Sequence, residues 1–339
     1  MSNVPSEHQM SEHQMSEHQL SEQHLSLEEQ IRRLAKGELV ESSQALLARL
    51  DELGLEFEQS AATVESCEAG QVRLAMPLQL LDKPQILNEL HAPVRALLGD
   101  VALHWVIDST NNDLLKKAGA EGFHGGVSLA EQQLAGKGRR GKQWVSPFGK
   151  NIYLSVGWQF RVPVSALGGL SLVAGMQVVK TLRQLGVQTV GLKWPNDVIL
   201  EGGKLAGILV ELLPNKDRVS VVLGIGINLA LSKIDTQAID QAWSVVPESI
   251  KLARNQMVAA LLNNLIPVLQ AFADTGFAPY GAAWQGFNLY QGQAVEVRLG
   301  ERVIQGIDHG IDASGQLQVL TEEGIQVFNA GEVSLRLAS

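Results

Sequence analysis

The sequence predicts an α/β (α+β) protein: a mixed domain with a small helical region ahead of it and a small β-barrel after it. Three observations carry that prediction. Between residues 101 and 273, β-branched and leucine-rich runs alternate with long stretches of helical apolar spacing. From residue 287 onward only short alternating runs remain, separated by Gly300, Gly310, Gly315 and Gly324, which is barrel spacing. Ahead of residue 55, leucines recur every three or four positions and Gly54 stops the pattern.

Taken in order, the chain opens with Ser6-Glu-His-Gln-Met and three further copies of this five-residue unit. One apolar residue in five buries too little surface to offset chain entropy, so residues 1–26 read as a disordered tail. Its histidines, His8, His13, His18 and His24, read as part of a low-complexity extension rather than a metal site. Two short helices are expected over 27–36 and 43–53. Strands are expected at 101–107, 152–158, 189–193, 205–212 and 219–227. A helix is expected over 165–185, capped by Ser165 and stopped by Gly186; a second spans 255–273, where Pro267 should kink or divide it.

The chain has 339 residues, 45% hydrophobic and 19% charged, with one cysteine. Cys67 has no intramolecular partner for a disulfide, and no Cys/His spacing matches a metal site. No apolar run approaches the ~20 residues that span a bilayer, and the first residues are polar, so no membrane association and a cytoplasmic location are the expectations. The net charge of −9 sits entirely in residues 1–85, which hold 6 Lys and Arg against 15 Asp and Glu. Such a segment repels a phosphate backbone. The helix expected around Gln44 to Glu52 sets Gln44 and Arg49 beside Asp51 and Glu52, too few donors for a reader of base edges and phosphates, so DNA binding is not expected.

The most informative segment is Gly136-Lys-Gly-Arg-Arg-Gly-Lys142, four cations among three glycines. It fits the start of a P-loop and a dinucleotide fingerprint, but both need a helix directly afterwards to hold phosphate. Here Pro147, Gly149 and a β-forming run follow. Side-chain charge must therefore carry any anion binding. Three further motifs lie downstream: Lys193-Trp-Pro-Asn-Asp197, Gly203-Lys-Leu-Ala-Gly-Ile-Leu-Val-Glu211 and Gly224-Ile-Gly-Ile-Asn228. Asp108-Ser-Thr-Asn-Asn112 lies upstream.

These five elements, in this order and spacing, resemble the catalytic domain of biotin protein ligases. The resemblance runs from about Leu81 to the C-terminus. It implies a catalytic domain like those of class II aminoacyl-tRNA synthetases over 86–286 and an SH3-like barrel over 287–339. Residues 27–85 then correspond to a shortened, degenerate winged-helix region. The implied activity is ATP-dependent conversion of biotin to biotinyl-5′-AMP, then transfer to a lysine of the biotin carboxyl carrier protein of acetyl-CoA carboxylase. ATP and biotin are the implied substrates, with Mg2+, and a homodimer through the central sheet is the implied assembly.

Chemistry and resemblance together nominate residues. Ser109, Thr110 and Gln133 supply hydroxyl and amide groups suited to a ureido ring, and with Asn111 they match the family's biotin contacts. Ser109 can also cap a helix beginning near Asn112. The resemblance extends biotin contacts to Gly136, Lys137, Gly138, Arg139, Lys204 and Gly207. It assigns ATP or adenylate contacts to Arg139, Arg140, Lys142, Trp144, Lys193, Asn196, Asn228 and Trp243. Two anions must meet in the first step, so Arg139, Lys193 and Lys204 are nominated, with Asp197, as catalytic. Asp197 can orient or deprotonate the attacking lysine or help hold magnesium; the sequence leaves these open. Lys137 and Lys142 stand where the family's commonest pattern has Arg, keeping charge but losing bidentate geometry. The alternative readings are a bifunctional ligase and biotin-operon repressor, or a lipoate ligase of the same fold.

Overall fold

The computed structural model describes residues 25–60, 70–231, 235–250, 253–331 and 333–338. The repeat tail with its four histidines and Cys67 lie outside the described residues, as does part of the loop before Trp243. The chain divides into two compact units on either side of the Leu80–Leu81 bond.

In the first unit, α1 (Leu27–Ala35) starts at a reciprocal cap in which Ser26 and Glu29 satisfy each other's backbone amides. It buries Ile31 and Leu34, while α2 (Gln44–Glu52), capped by Ser43, buries Leu46 and Leu50. Between and after them come β1 (Val40–Glu41), β2 (Phe57–Gln59) and β3 (Gln71–Leu74), an antiparallel sheet of order β1-β3-β2 that the sequence reading did not anticipate. Arg49, the cation of α2, is 2.5 Å from Glu52.

The second unit opens with α3 (Lys83–Asn88) and α4 (Ala92–Leu97). Its main sheet has seven strands: β4 (Val101–Ile107), β5 (Val127–Gln133), β6 (Asn151–Phe160), β7 (Gly191–Lys193), β8 (Asp197–Leu200), β9 (Gly203–Pro214) and β10 (Val219–Asn228). Their order is β4-β5-β6-β10-β9-β8-β7, with only the β4–β5 pair parallel. Helix α5 (Thr110–Lys116) follows β4, and α6 (Leu170–Gln184) and α7 (Arg254–Thr275) complete the layer.

Strand alternation sorts the two faces. On β6, Ile152, Leu154, Val156 and Trp158 enter the core beside α6 and α7, with Val221, Leu223, Ile225 and Ile227 of β10. The opposite parity puts Tyr153, Ser155, Gly224, Gly226, Gly207 and Glu211 on the other face, where Ser155 pairs with Gly224 and Tyr153 with Gly226. That second face carries the site.

The structure corrects several expectations. Strands β5 and β8 were not foreseen; β5 ends in Glu-Gln-Gln, and its burial depends on Glu131 meeting Arg254 at 2.8 Å from α7, both 2% exposed. Ser165 caps nothing, because 164–167 is a single 3-10 turn and α6 starts after Gly169, at φ 77°. Helix α7 is continuous through Pro267, so the proline does not divide it. An interior proline costs about 3 kcal/mol, but Leu262, Leu265, Ile266 and Leu269 are buried around it, each contributing about 1.5–3 kcal/mol. Packing wins. By length and composition, Val164–Gln184, which joins the 164–167 turn to α6, and Arg254–Thr275 (α7) would each reach across a bilayer; here α6 and α7 pack in the core.

After α8 (Gly281–Gln285) come β11 (Ala294–Leu299), β12 (Arg302–Ile311), β13 (Leu317–Thr321), β14 (Gly324–Phe328) and β15 (Val333–Leu337). They form an antiparallel sheet of order β14-β13-β12-β11-β15. Val295, Val297, Leu317, Val319 and Leu335 join the same core cluster as the main sheet.

Candidate active site

The site face of the main sheet forms the floor of a cavity of about 200 Å³. Two glycines keep that floor low. A Cβ on Gly224 would lie 2.2 Å from Asn111 Oδ1, and one on Gly226 would lie 2.5 Å from the Trp144 ring. The Gly-x-Gly spacing on one strand face is therefore a packing requirement.

One wall is a polar array. Ser109 caps α5 by accepting from the Asn112 amide, at 3.5 Å, and so sets Thr110 and Asn111 at the helix start. Gln133 Oε1 accepts from the Thr110 amide at 2.9 Å, and its Nε2 donates to Ser146 Oγ at 3.1 Å. Ser155 Oγ lies 2.7 Å from Thr110 Oγ1 and 2.5 Å from Asn111 Oδ1. Thr110 and Asn111 are buried yet line the cavity.

The opposite wall is cationic. Asp197 Oδ1 is 2.6 Å from Lys204 Nζ, in ion contact without hydrogen-bond direction, and its Oδ2 is 3.6 Å from Lys193 Nζ. Burial lowers the Lys193 ammonium below the usual lysine value of 10.5, with the Asp197 carboxylate opposing and Lys204 adding to the shift. Arg139 donates to Asn196 Oδ1 at 2.8 Å and to the Ala330 carbonyl in the barrel. Burial and the neighbouring Arg140 hold its guanidinium below its usual value. Arg140 itself sits at φ 58°, which lets the loop turn sharply within a single 3-10 turn. No α-helix follows the loop, so neither glycine fingerprint has its structural context.

Of the nominated residues, Ser109, Thr110, Asn111, Gln133, Lys137, Gly138, Arg139, Arg140, Lys142, Trp144, Lys193, Asn196, Asp197, Lys204 and Gly207 all line this cavity. Gly136 does not. It backs the wall, where a Cβ would press 2.5 Å from the Trp144 carbonyl oxygen. Asn228 and Trp243 line a smaller adjoining hollow, which shares Lys142, Trp144 and Lys204 with the first. Asn228 reaches the Lys204 and Ser244 carbonyls at 3.3 Å, and the Lys204 amide donates to Ala242 at 2.9 Å. Lys142 pairs with Asp240 at 2.9 Å, joining the basic loop to the loop before Trp243 and lowering the Asp240 carboxyl.

Sequence reasoning missed Glu211, Ser155 and the barrel's Ser334 and Arg336. Glu211 ends a motif already singled out, so its position was visible although its role was not. Arg336 gave no signal; only the folding of β15 onto the cavity brings it there.

A magnesium ion bound by the protein alone does not fit this wall. Among the described residues no three His, Cys, Asp or Glu side chains cluster, and both Asp197 oxygens face ammonium groups. Mg2+ characteristically retains waters and substrate phosphates as ligands, ligands that this wall does not itself supply.

Comparison with known proteins agrees with this geometry. Residues 104–228 match the Biotin/lipoate A/B protein ligase family, and residues 290–336 match the biotin protein ligase C-terminal domain. The bifunctional ligase/repressor BirA of Escherichia coli is 41% identical over 267 residues, 78% of this chain and 81% of that protein. The chain belongs to the biotin protein ligase family. Within the family, the biotin–[acetyl-CoA-carboxylase] ligase of Paracoccus denitrificans is 37% identical over 67% of this chain and 96% of its own length. The Aquifex aeolicus biotin protein ligase, solved with biotin and ATP, superposes with a TM-score of 0.60 at 29% identity, covering 70% of this chain and 99% of that one.

Proposed function

We propose that this chain activates biotin with ATP and transfers it to a lysine of the biotin carboxyl carrier protein of acetyl-CoA carboxylase. One observation carries the reading: Lys204 lies where two hollows join, one with a polar array suited to a ureido ring, the other flanked by Trp243 and Asn228. In the first step a biotin carboxylate oxygen attacks the α-phosphorus and the bond to the β-phosphate breaks, releasing pyrophosphate. Arg139, Lys193 and Lys204 offset the meeting of the two anions and the charge developing on phosphorus. Lys142 and Arg140 hold the outer phosphates. In the second step the carrier amine attacks the anhydride carbonyl, AMP leaves, and the amine must shed a proton. Asp197 accepts or orients it.

The C-terminal domain match favours biotin over lipoate as the acid. The repressor reading is disfavoured by the Arg49–Glu52 pair and by the acidic charge of residues 1–85. The same reading places the reaction in the cytoplasm, and β4, an open edge of the main sheet, is the strand through which two copies would pair. Incubating the purified protein with biotin, Mg-ATP and a biotin carboxyl carrier domain tests the proposal. One lysine labelled with biotin, and none with lipoate, is the expected result; an unlabelled carrier with folded enzyme overturns it.

A further inference from the structure

One wall of the smaller hollow is a stretch outside any strand or helix, and Ile239, Asp240, Gln241 and Trp243 supply it. At its far end main-chain bonds hold it to β9: the Lys204 amide donates to the Ala242 carbonyl at 2.9 Å, and the Ser244 amide to the Lys204 carbonyl at 3.0 Å. At its near end the chain leaves β10 at Asn228, and Lys150 and Asn151 take hold of it. Asn151 Oδ1 accepts from the Leu229 amide at 2.9 Å and from the Ala230 amide at 3.4 Å, while the Lys150 carbonyl accepts from Ala230 at 3.0 Å. Asn151 is fully buried, and its own carbonyl accepts from Arg254 at 2.8 Å. Lys150 Nζ then reaches Asp235 Oδ2 at 2.9 Å. Asp235 opens the single 3-10 turn Asp235–Ala238, which leads directly into Ile239.

Two ion pairs among the described residues tie this stretch to the basic loop and the residues after it, and their burial ranks them. Lys142 and Asp240 leave 58% and 74% of their side-chain surface exposed, whereas Lys150 and Asp235 leave 19% and 14%. An exposed pair is screened by water and salt, and Lys142 is also the cation assigned above to the outer phosphates. A sequestered pair differs, because removing one partner strands the other charge out of water. Neither Lys150 nor Asp235 lines either hollow. We propose that Lys150 is a positioning residue for the nucleotide: through Asp235 it fixes the stretch Ile239–Trp243 as a wall of the smaller hollow. This deepens, and rests on, the reading that the smaller hollow takes the nucleotide of ATP. The polar array in the larger cavity is held by its own hydrogen bonds, so loosening that wall affects ATP and leaves biotin in place.

Pyrophosphate release by the full chain, in the presence of a biotin carboxyl carrier domain, tests this with ATP and biotin varied separately. Lys150→Met keeps the length of the side chain and removes its charge. The KM for ATP should rise by about fivefold or more while the KM for biotin stays within about twofold of wild type. Asp235→Asn breaks the same pair from the other side with almost no change in shape, and should raise the ATP KM likewise; it keeps the test available if Lys150→Met does not fold, which melting curves report. The double variant should be no worse than the more affected single one, because both remove one interaction. Three results would overturn the proposal: folded single variants whose two KM values match wild type, ATP and biotin KM values that rise by the same factor, or a double variant whose loss is the product of the two single losses. Folded wild type that releases no pyrophosphate would instead sink the ligase reading, and this inference with it.

Discussion

The Trp194 indole N–H donates to the Gly315 carbonyl at 3.1 Å, joining the strand–turn that carries Lys193 and Asn196 to the C-terminal barrel. Trp194 is fully buried. Main-chain bonds reinforce the joint, since the Leu192 amide donates to Phe287 at 2.7 Å and the Leu289 amide to Leu192 at 3.0 Å. The barrel thereby sets the position of two cavity residues it does not contain.

Trp194→Phe keeps most of the buried ring but leaves the Gly315 carbonyl without its donor. Losing a buried partner costs about 1–3 kcal/mol. A lower melting temperature together with slower pyrophosphate release is expected; an unchanged melt and rate would show that the joint has no energetic weight.

Lys204→Ala removes the cation at the junction of the two hollows and leaves Asp197 facing Lys193 alone. A charge-assisted hydrogen bond contributes about 1.5–3 kcal/mol, so adenylation should fall roughly tenfold to a hundredfold while the fold survives. Steady-state pyrophosphate release is the assay, and a rate within about twofold of wild type would remove Lys204 from the reaction.

Arg139→Gly should release the activated intermediate more than it slows its formation. Arg139 ties the basic loop to Asn196 and to the barrel carbonyl of Ala330, so its loss opens the loop on two sides. Biotin should then appear on bystander lysines of a noncarrier protein. If bystander labelling stays at the wild-type level while adenylation is intact, the loop does not retain the intermediate.

The Lys193 charge gives the site an alkaline limit. Burial lowers this ammonium in the folded state, so its charge is lost as pH rises through a value below 10.5. Over that window the unfolded chain binds the extra proton, and the contribution of Lys193 to stability rises with pH. Rate runs the other way, because adenylation needs the charge. Lys193→Arg keeps its charge, so its pH–rate profile between about pH 7 and 10 should hold up where that of wild type declines. Superimposable alkaline limbs would count against the assignment.

Residues 1–85 should give no specific operator binding, because the Arg49 guanidinium is already held by Glu52 and the segment is acidic. A mobility shift with biotin, ATP and DNA from upstream of biotin-synthesis genes, at near-physiological salt, checks this. Retardation of a palindromic site at nanomolar protein would restore the ligase–repressor reading.

The site was legible in sequence wherever a motif kept its chemistry together, and illegible wherever folding supplied a partner. Lys193, Asn196 and Asp197 sit within five residues, so their shared cavity could be read directly. Arg139 and Ala330, 191 residues apart, could not. Strand β5 was missed for the same reason: Glu131 looks too polar for a core strand until Arg254 is brought to it across 123 residues. Pro267 looked like a break because helix propensity is local, while the leucines that overrule it act through tertiary packing.

The bare floor made by Gly224 and Gly226 has a consequence for redesign. The Asn111 amide and the Trp144 ring occupy the space that side chains on that floor would need, so the cavity has no slack in depth. Room for a bulkier acid must come from the walls, by shortening Trp144 or moving the basic loop. Even one methyl group on the floor would act as a plug, displacing the residues that face the ligand before any ligand arrived.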